Sequence, residues 1–214
     1  ATSSVILSGA GAGSKEMQFA YEAAGTLGNC SGGLTPWGTV LSGEENFQDY
    51  PDENVYRWND SENKLITEHY GWVVEVDPFD KNFIPKKRTS LGRFRHENVA
   101  IAISKDGYVA AYMGDDKEDE CVYKFISSRK FNSVDLKSNA DILDEGTLYA
   151  ADFGNNKWLA LDINQNSGLN SAFASQADVL INCDSACRAI GATPCNRCED
   201  IEINPADGSV FMAF

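Results

Sequence analysis

The sequence predicts an all-β chain assembled from β-propeller-like blades, and three observations carry that expectation. Five β-rich runs open on turn glycines, Gly38, Gly71, Gly107, Gly146 and Gly208, which stand 33, 36, 39 and 62 residues apart. Acidic turns precede several of them, as in Asp106-Gly107, Glu145-Gly146 and Asp207-Gly208, a signal for hairpins. Helix signals are sparse. A strand-rich unit recurring at roughly 40 residues is the size of one four-stranded blade. The turns of a sandwich come closer together.

In chain order, a short helix is expected over Lys15 to Ala24. Gly32 and Gly33 follow, where backbone freedom suits a tight bend that holds Cys30. The strand from Gly38 to Ser42 then carries Glu44 and Glu45 into a loop. The runs from Gly71, Gly107 and Gly146 each give a strand, with further strands at Cys121 to Ile126 and Trp158 to Ile163. The polar stretches Gln48 to Asn63 and Phe79 to Thr89 read as surface connections between blades. A second short helix is expected over Ser171 to Asp178, and a last strand follows Gly208.

A length of 214 residues suits one domain or part of a larger one. With 32 acidic against 18 basic residues, the net charge is −14. That balance argues against nucleic acid or an anionic membrane surface as partner. It suits either plain solubility or the binding of several hard cations. No apolar run reaches the roughly 18–20 residues needed to span a bilayer. The start, Ala1-Thr2-Ser3-Ser4, has none of the charge or apolar pattern of a signal peptide.

Six cysteines are present, and Cys183, Cys187, Cys195 and Cys198 crowd into a C-x3-C-x7-C-x2-C pattern. Two disulfides or a tetrahedral zinc site would both close a compact knuckle there. The disulfide reading is favoured, with the nested pairing Cys183 to Cys198 and Cys187 to Cys195. Two Asn-x-Ser tripeptides, at Asn29 and Asn59, are common enough by chance to decide nothing.

In a propeller, loops of successive blades converge on a central channel. Four segments bring acids to such loops: Gly43 to Asn46, Arg93 to Asn98, Gly114 to Asp116, and Arg197 to Asp200. Carboxylates from separate blades, joined by the Cys30 thiolate, are a donor set for hard cations and iron. Arg197 offers a bidentate fork for phosphate or carboxylate. Each piece has a plainer alternative. Asp115 and Asp116 can be an acidic turn, His96 a core histidine, and Arg93 and Arg95 salt-bridge partners of nearby acids.

Taken together, the motifs resemble the PhoX family of alkaline phosphatases. They are the run from Asn29 to Thr39 with Glu44, Glu45 and Asn46, then Gly71 to Asp80, Gly92 to Glu97, Tyr112 to Asp116, and Gly191 to Asp200. They stand in family order, from about Leu27 to the C-terminus. The resemblance implies a six-bladed propeller, of which this chain supplies about four blades or fewer. It also implies export by the twin-arginine route to the periplasm or the extracellular space, and hydrolysis of phosphomonoesters with Fe3+ and Ca2+. Carried over by motif, Cys30 would ligate iron. Glu45, or else Glu44, would be a carboxylate ligand, with Glu97 and Glu199 as further ligands. Asp115, Asp116 and Asp200 are additional candidates, and Arg197 would contact the substrate phosphate.

The chain departs from the family where Cys195 and Cys198 flank Asn196-Arg197, positions that more usually hold other residues. Because the glycine-led strands stop at Phe214, further blades and calcium ligands are expected beyond it. Two other functional readings stand beside the phosphatase: a non-catalytic calcium-binding propeller for adhesion or assembly, and a lactonase-like calcium hydrolase. Neither needs Cys30, and adhesion needs no Arg197.

Overall fold

β-branched and aromatic runs become strands, and their alternation decides which face each side chain covers. A computed structural model describes residues 3–50 and 66–214. The Asn59 tripeptide and most of the stretch from Gln48 to Asn63 lie outside the described residues.

The first sheet contains β1 (Ser4–Ser8), β2 (Glu22–Ala24), β3 (Asn29–Leu34), β4 (Val40–Glu44), β5 (Val73–Val76) and β6 (Lys86–Arg88), in the order β2-β1-β6-β5-β4-β3. Only the β1–β6 pair in it is parallel. The second sheet is an antiparallel set of β7 (Ala100–Ile103), β8 (Tyr108–Gly114), β10 (Val122–Lys130), β11 (Gly146–Asp152) and β12 (Lys157–Ala160), where β9 (Glu118–Glu120) is left out to pair elsewhere. Three short helices follow: α1 (Ser167–Ala172), α2 (Gln176–Ile181) and α3 (Cys183–Ile190). Last come β13 (Cys195–Asn196), which pairs with β9, and the hairpin of β14 (Ile201–Ile203) and β15 (Val210–Met212). The architecture is mostly β with few helices.

Strand alternation splits the second sheet into two faces. Val109, Ala111, Met113, Tyr123, Phe125, Leu148 and Ala150 point into the main core, which Val179, Leu180, Cys183, Ala186 and Cys187 cover from α2 and α3. The other face gives Val122 and Ala151 to a smaller cluster with Cys198 and Ile201. Phe94 stacks on Tyr123 at 4.0 Å, locking the segment before β7 onto the core.

Several expectations need correction. Lys15 to Ala24 is not helical: Gln18 and Phe19 take φ of 53° and 61°, and the stretch ends in β2. The helix expected over Ser171 to Asp178 straddles a break, because α1 ends at Ala172 and Ser175 caps α2 by accepting Asp178 N–H at 3.0 Å. Gly32 and Gly33 lie within β3 rather than at a bend. A side chain at Gly32 would collide with the Leu41 carbonyl of the neighbouring strand.

Phe79 to Thr89 is not all surface connection. Its last part is β6, paired on both edges, with Lys87 and Arg88 buried. Charges survive there because each is matched. Lys87 Nζ meets Glu44 Oε1 and the His69 carbonyl, both at 2.8 Å. Arg88 meets Glu75 at 2.7 Å and Asp144 at 2.8 Å.

The cysteine knuckle is absent too, and all six thiols are free. Cys183, Ala186 and Cys187 recur at helical spacing and form the buried face of α3, while Cys195 and Cys198 belong to the smaller cluster. The nested pairing fails because α3 turns its two cysteines into a different core from the other two.

Candidate functional site

Four connected segments build the site. Cys30 lies exposed on β3, and the β3–β4 pairing sets Asn29 opposite Glu44, so the residue after β4 comes alongside it. That residue, Glu45, is fixed by its N–H to the Gly28 carbonyl at 3.0 Å. Glu97 stands before β7, and its neighbour Asn98 grips the Ile201 backbone through two bonds of 2.9 and 3.2 Å. Asp116 follows β8, with its N–H on the Arg95 carbonyl at 3.1 Å. Arg197 follows β13, with its N–H on the Lys117 carbonyl at 3.2 Å and φ of 54°.

These backbones bring Cys30, Glu45, Glu97, Asp116, Arg197 and Glu199 together. Glu45 lies close enough to both Cys30 and Asp116 to perturb and be perturbed by them. Arg197 donates from Nε and Nη2 to the two oxygens of Asp116, at 3.1 and 3.0 Å, and also meets Glu199 at 3.1 Å. Its side chain is still 54% exposed, so the guanidinium faces a route from solvent. Exposed Asp200 lies at the margin and acts on Glu97 through its charge.

Burial and then like charge shift three members of this cluster, Cys30, Glu45 and Glu97. Burial raises the Cys30 thiol, and the Glu45 and Glu97 carboxylates add to the rise. Burial also raises Glu45, with Asp116 adding to it and Arg95 working against it. Glu97 is raised by burial and then by Asp116, Glu199, Glu45 and Asp200. One Glu97 oxygen, Oε2, is buried without a hydrogen-bond partner. Soft sulfur, hard carboxylates and an orphaned acid oxygen together suit cations. Among the described residues, however, no three His, Cys, Asp or Glu side chains are drawn tightly around one point. Arg197 takes up oxygens of Asp116 and Glu199.

Two candidates fall away. Glu44 is fully buried, and its oxygens accept from Leu27 N at 2.8 Å, Gly71 N at 3.0 Å, Trp72 N at 3.1 Å and Lys87. It is a structural hub with no lone pair facing the site. Asp115 points to the opposite side from Asp116, as successive residues of an extended chain do. It lines a small polar cavity with Lys117, Glu120 and Asp184, and one oxygen accepts Arg95 N–H at 3.2 Å. His96 is buried, bonded to the Gly92 carbonyl at 2.9 Å, and burial lowers its pKa to about 3. It is a core histidine. Of the two arginines beside it, Arg95 pairs with Asp49 at 2.9 Å, whereas Arg93 donates to the Tyr70 and Thr67 carbonyls.

Sequence reasoning missed the task of Asn98, for which a lone amide gives no signal. It left Asp116 between an acidic turn and a possible metal ligand and gave no sign of its contact with Arg197.

The model of the family described as alkaline phosphatase PhoX matches residues 1–214. No curated protein matches the chain. Among solved structures, Pseudomonas fluorescens PhoX in complex with vanadate, a transition state analogue, is similar at 36% identity and a TM-score of 0.84. The match covers 99% of this chain and 44% of that one, so this chain spans less than half the length of its solved relative. A whole-chain family match and a solved relative of that identity agree, and the chain belongs to the PhoX alkaline phosphatase family.

Proposed function

We propose that this chain forms part of a metal-dependent phosphomonoesterase with a β-propeller architecture. In this reading Cys30, Glu45, Glu97 and Glu199 hold Fe3+ and Ca2+, and Arg197 contacts the phosphate. The observation that carries it is the convergence of a thiol, four carboxylates and a clamped, half-exposed arginine from four separate segments. The solved PhoX relative is described with vanadate, a transition state analogue, which supports a phosphoryl-transfer reading. The two multi-stranded sheets, each largely a meander, support the propeller.

The residues present fit the cations. Burial, with neighbouring carboxylates adding to it, raises Cys30, Glu45 and Glu97, and nearby positive charge would lower them again, so binding would release protons. When bound, such ions supply Lewis-acid polarisation of a phosphoryl group. Cys30 offers the soft donor, and the glutamates offer hard ones. Asp116 and Glu199 occupy donors on Nε and Nη2 of Arg197, which leaves the Nη1 donors for a phosphate oxygen. Asp116 thereby fixes the plane in which that oxygen is met. A calcium-binding adhesion module would give this clamp no task.

The test is hydrolysis of p-nitrophenyl phosphate beside elemental analysis, in the wild type and in Arg197→Lys. The expected result is hydrolysis by metal-loaded wild type and a loss of about 100-fold in kcat/KM in the variant, with metal content unchanged. Metal-loaded wild type without hydrolysis, or a fully active variant, would contradict the reading.

A further inference from the structure

We propose that Gly43 is a positioning residue of the phosphatase centre: its missing side chain lets the end of β4 lie on the backbone at His96, and this contact sets how far Glu45 stands from Glu97. Gly43 is buried. A Cβ there would collide with the His96 carbonyl oxygen and come within 2.8 Å of both the carbonyl carbon and the His96 Cβ. Glu45 follows Gly43 by two residues, and Glu97 is the residue after His96.

Neither backbone is free to give way. On the β4 side, Gly43 pairs with Val73, and the next residue, Glu44, is tied to three backbone N–H groups and to Lys87. On the other side, the buried His96 ring lies 3.7 Å from the Phe94 ring and meets the Gly92 carbonyl at 2.9 Å. The His96 backbone is also bridged to Asp115. In a close-packed interior, a methyl group inserted between two such fixed surfaces has to part them. Glu45 and Glu97 would move apart with their backbones. The same kind of contact recurs at the other seams of the site. A Cβ on Gly33, three residues after Cys30, would strike the Val99 carbonyl oxygen. One on Gly114, two residues before Asp116, would strike that of Cys198, beside Glu199. Glycines thus stand where the donor-bearing segments touch.

Glu45 and Glu97 matter here as proposed cation ligands, so the role of Gly43 rests on that reading. The test compares wild type, Gly43→Ala and Gly146→Ala. A Cβ on Gly146 would collide with the Ile126 carbonyl, at the opposite end of β10 from Gly114. Each protein is loaded with iron and calcium, titrated with a chelator, and assayed on p-nitrophenyl phosphate. Gly43→Ala should give up metal at about tenfold lower chelator concentration. It should also lose about 100-fold in kcat, since a misplacement of about 1 Å can cost that much. Gly146→Ala should melt at a lower temperature yet keep wild-type metal retention and kcat, which separates positioning from a loss of stability alone. If Gly43→Ala does not fold, Gly114→Ala makes the same comparison between Asp116 and Glu199. A folded variant at either position that holds metal and turns over like wild type would overturn the role of these glycines alone. Wild type that retains no metal would overturn the cation reading and this role with it.

Discussion

Asp116 and Arg197, 81 residues apart, face each other through two parallel hydrogen bonds, Nε to Oδ1 at 3.1 Å and Nη2 to Oδ2 at 3.0 Å. The carboxylate is almost buried, and the guanidinium is more than half exposed. A buried anchor thus presents a solvent-facing cation in a fixed plane.

Asp116→Asn keeps the volume but loses the charge and one of the two acceptors. The expected outcome is a fall of roughly 10–100-fold in kcat/KM on phosphomonoesters, with metal content retained. Steady-state kinetics on metal-analysed protein checks it. Unchanged kinetics would mean that Arg197 needs no orientation.

Glu44 and Lys87 form a fully buried ion pair at 2.8 Å. Burial lowers the Lys87 pKa, and the Glu44 charge works against that shift. Breaking such a pair from one side costs about 3–5 kcal/mol, because the other charge is stranded. Lys87→Met should therefore destabilise strongly in urea unfolding. The double variant Lys87→Met with Glu44→Gln should lose clearly less than the sum of the single losses. Additive losses would show that the two groups are not coupled.

Asp115 should make stability fall as pH rises. Burial, with Glu120 adding to it, lifts its pKa from the ordinary 3.8 to about 8. Between those values the folded carboxyl keeps a proton that the unfolded one has lost, so folding is favoured at the acid end and loses that advantage towards pH 8. Asp115→Asn imitates the protonated acid. It should raise the melting temperature at pH 8 to 9 more than at pH 5, and an equal shift at both pH values would refute the buried-acid account.

How much of this could be read from sequence depended on whether a signal was local. The glycine-led strands were legible, because β-branched and aromatic runs after a turn mark themselves: β5, β8, β11 and β15 all start within two residues of their glycines. The strand β6 was not. Lys86-Lys87-Arg88 reads as a polar loop until Glu44, Glu75 and Asp144, distant in sequence, neutralise it.

Four crowded cysteines masked the helical spacing of Cys183, Ala186 and Cys187, whose burial places α3 in the core. At the site, the motif order singled out Cys30, Glu45, Glu97, Arg197 and Glu199, which the fold brings near one another. It preferred Glu45 to Glu44 without excluding either and did not separate Asp116 from Asp115, since neighbouring acids look alike until the backbone turns one inward and one outward. The roles of Asp116 and Asn98 are contacts with residues 81 and 103 positions away, and no local pattern encodes them.

The visible absorption spectrum of the protein, recorded with and without Cys30→Ala, tests the central claim most directly. If Cys30 binds ferric iron beside Glu45, Glu97 and Glu199, the wild type should be coloured by sulfur-to-iron charge transfer. Cys30→Ala should then lose colour, iron and phosphatase activity together. A colourless wild type that still cleaves phosphomonoesters, or a variant that keeps the colour, would contradict the assignment of Cys30 to the metal centre.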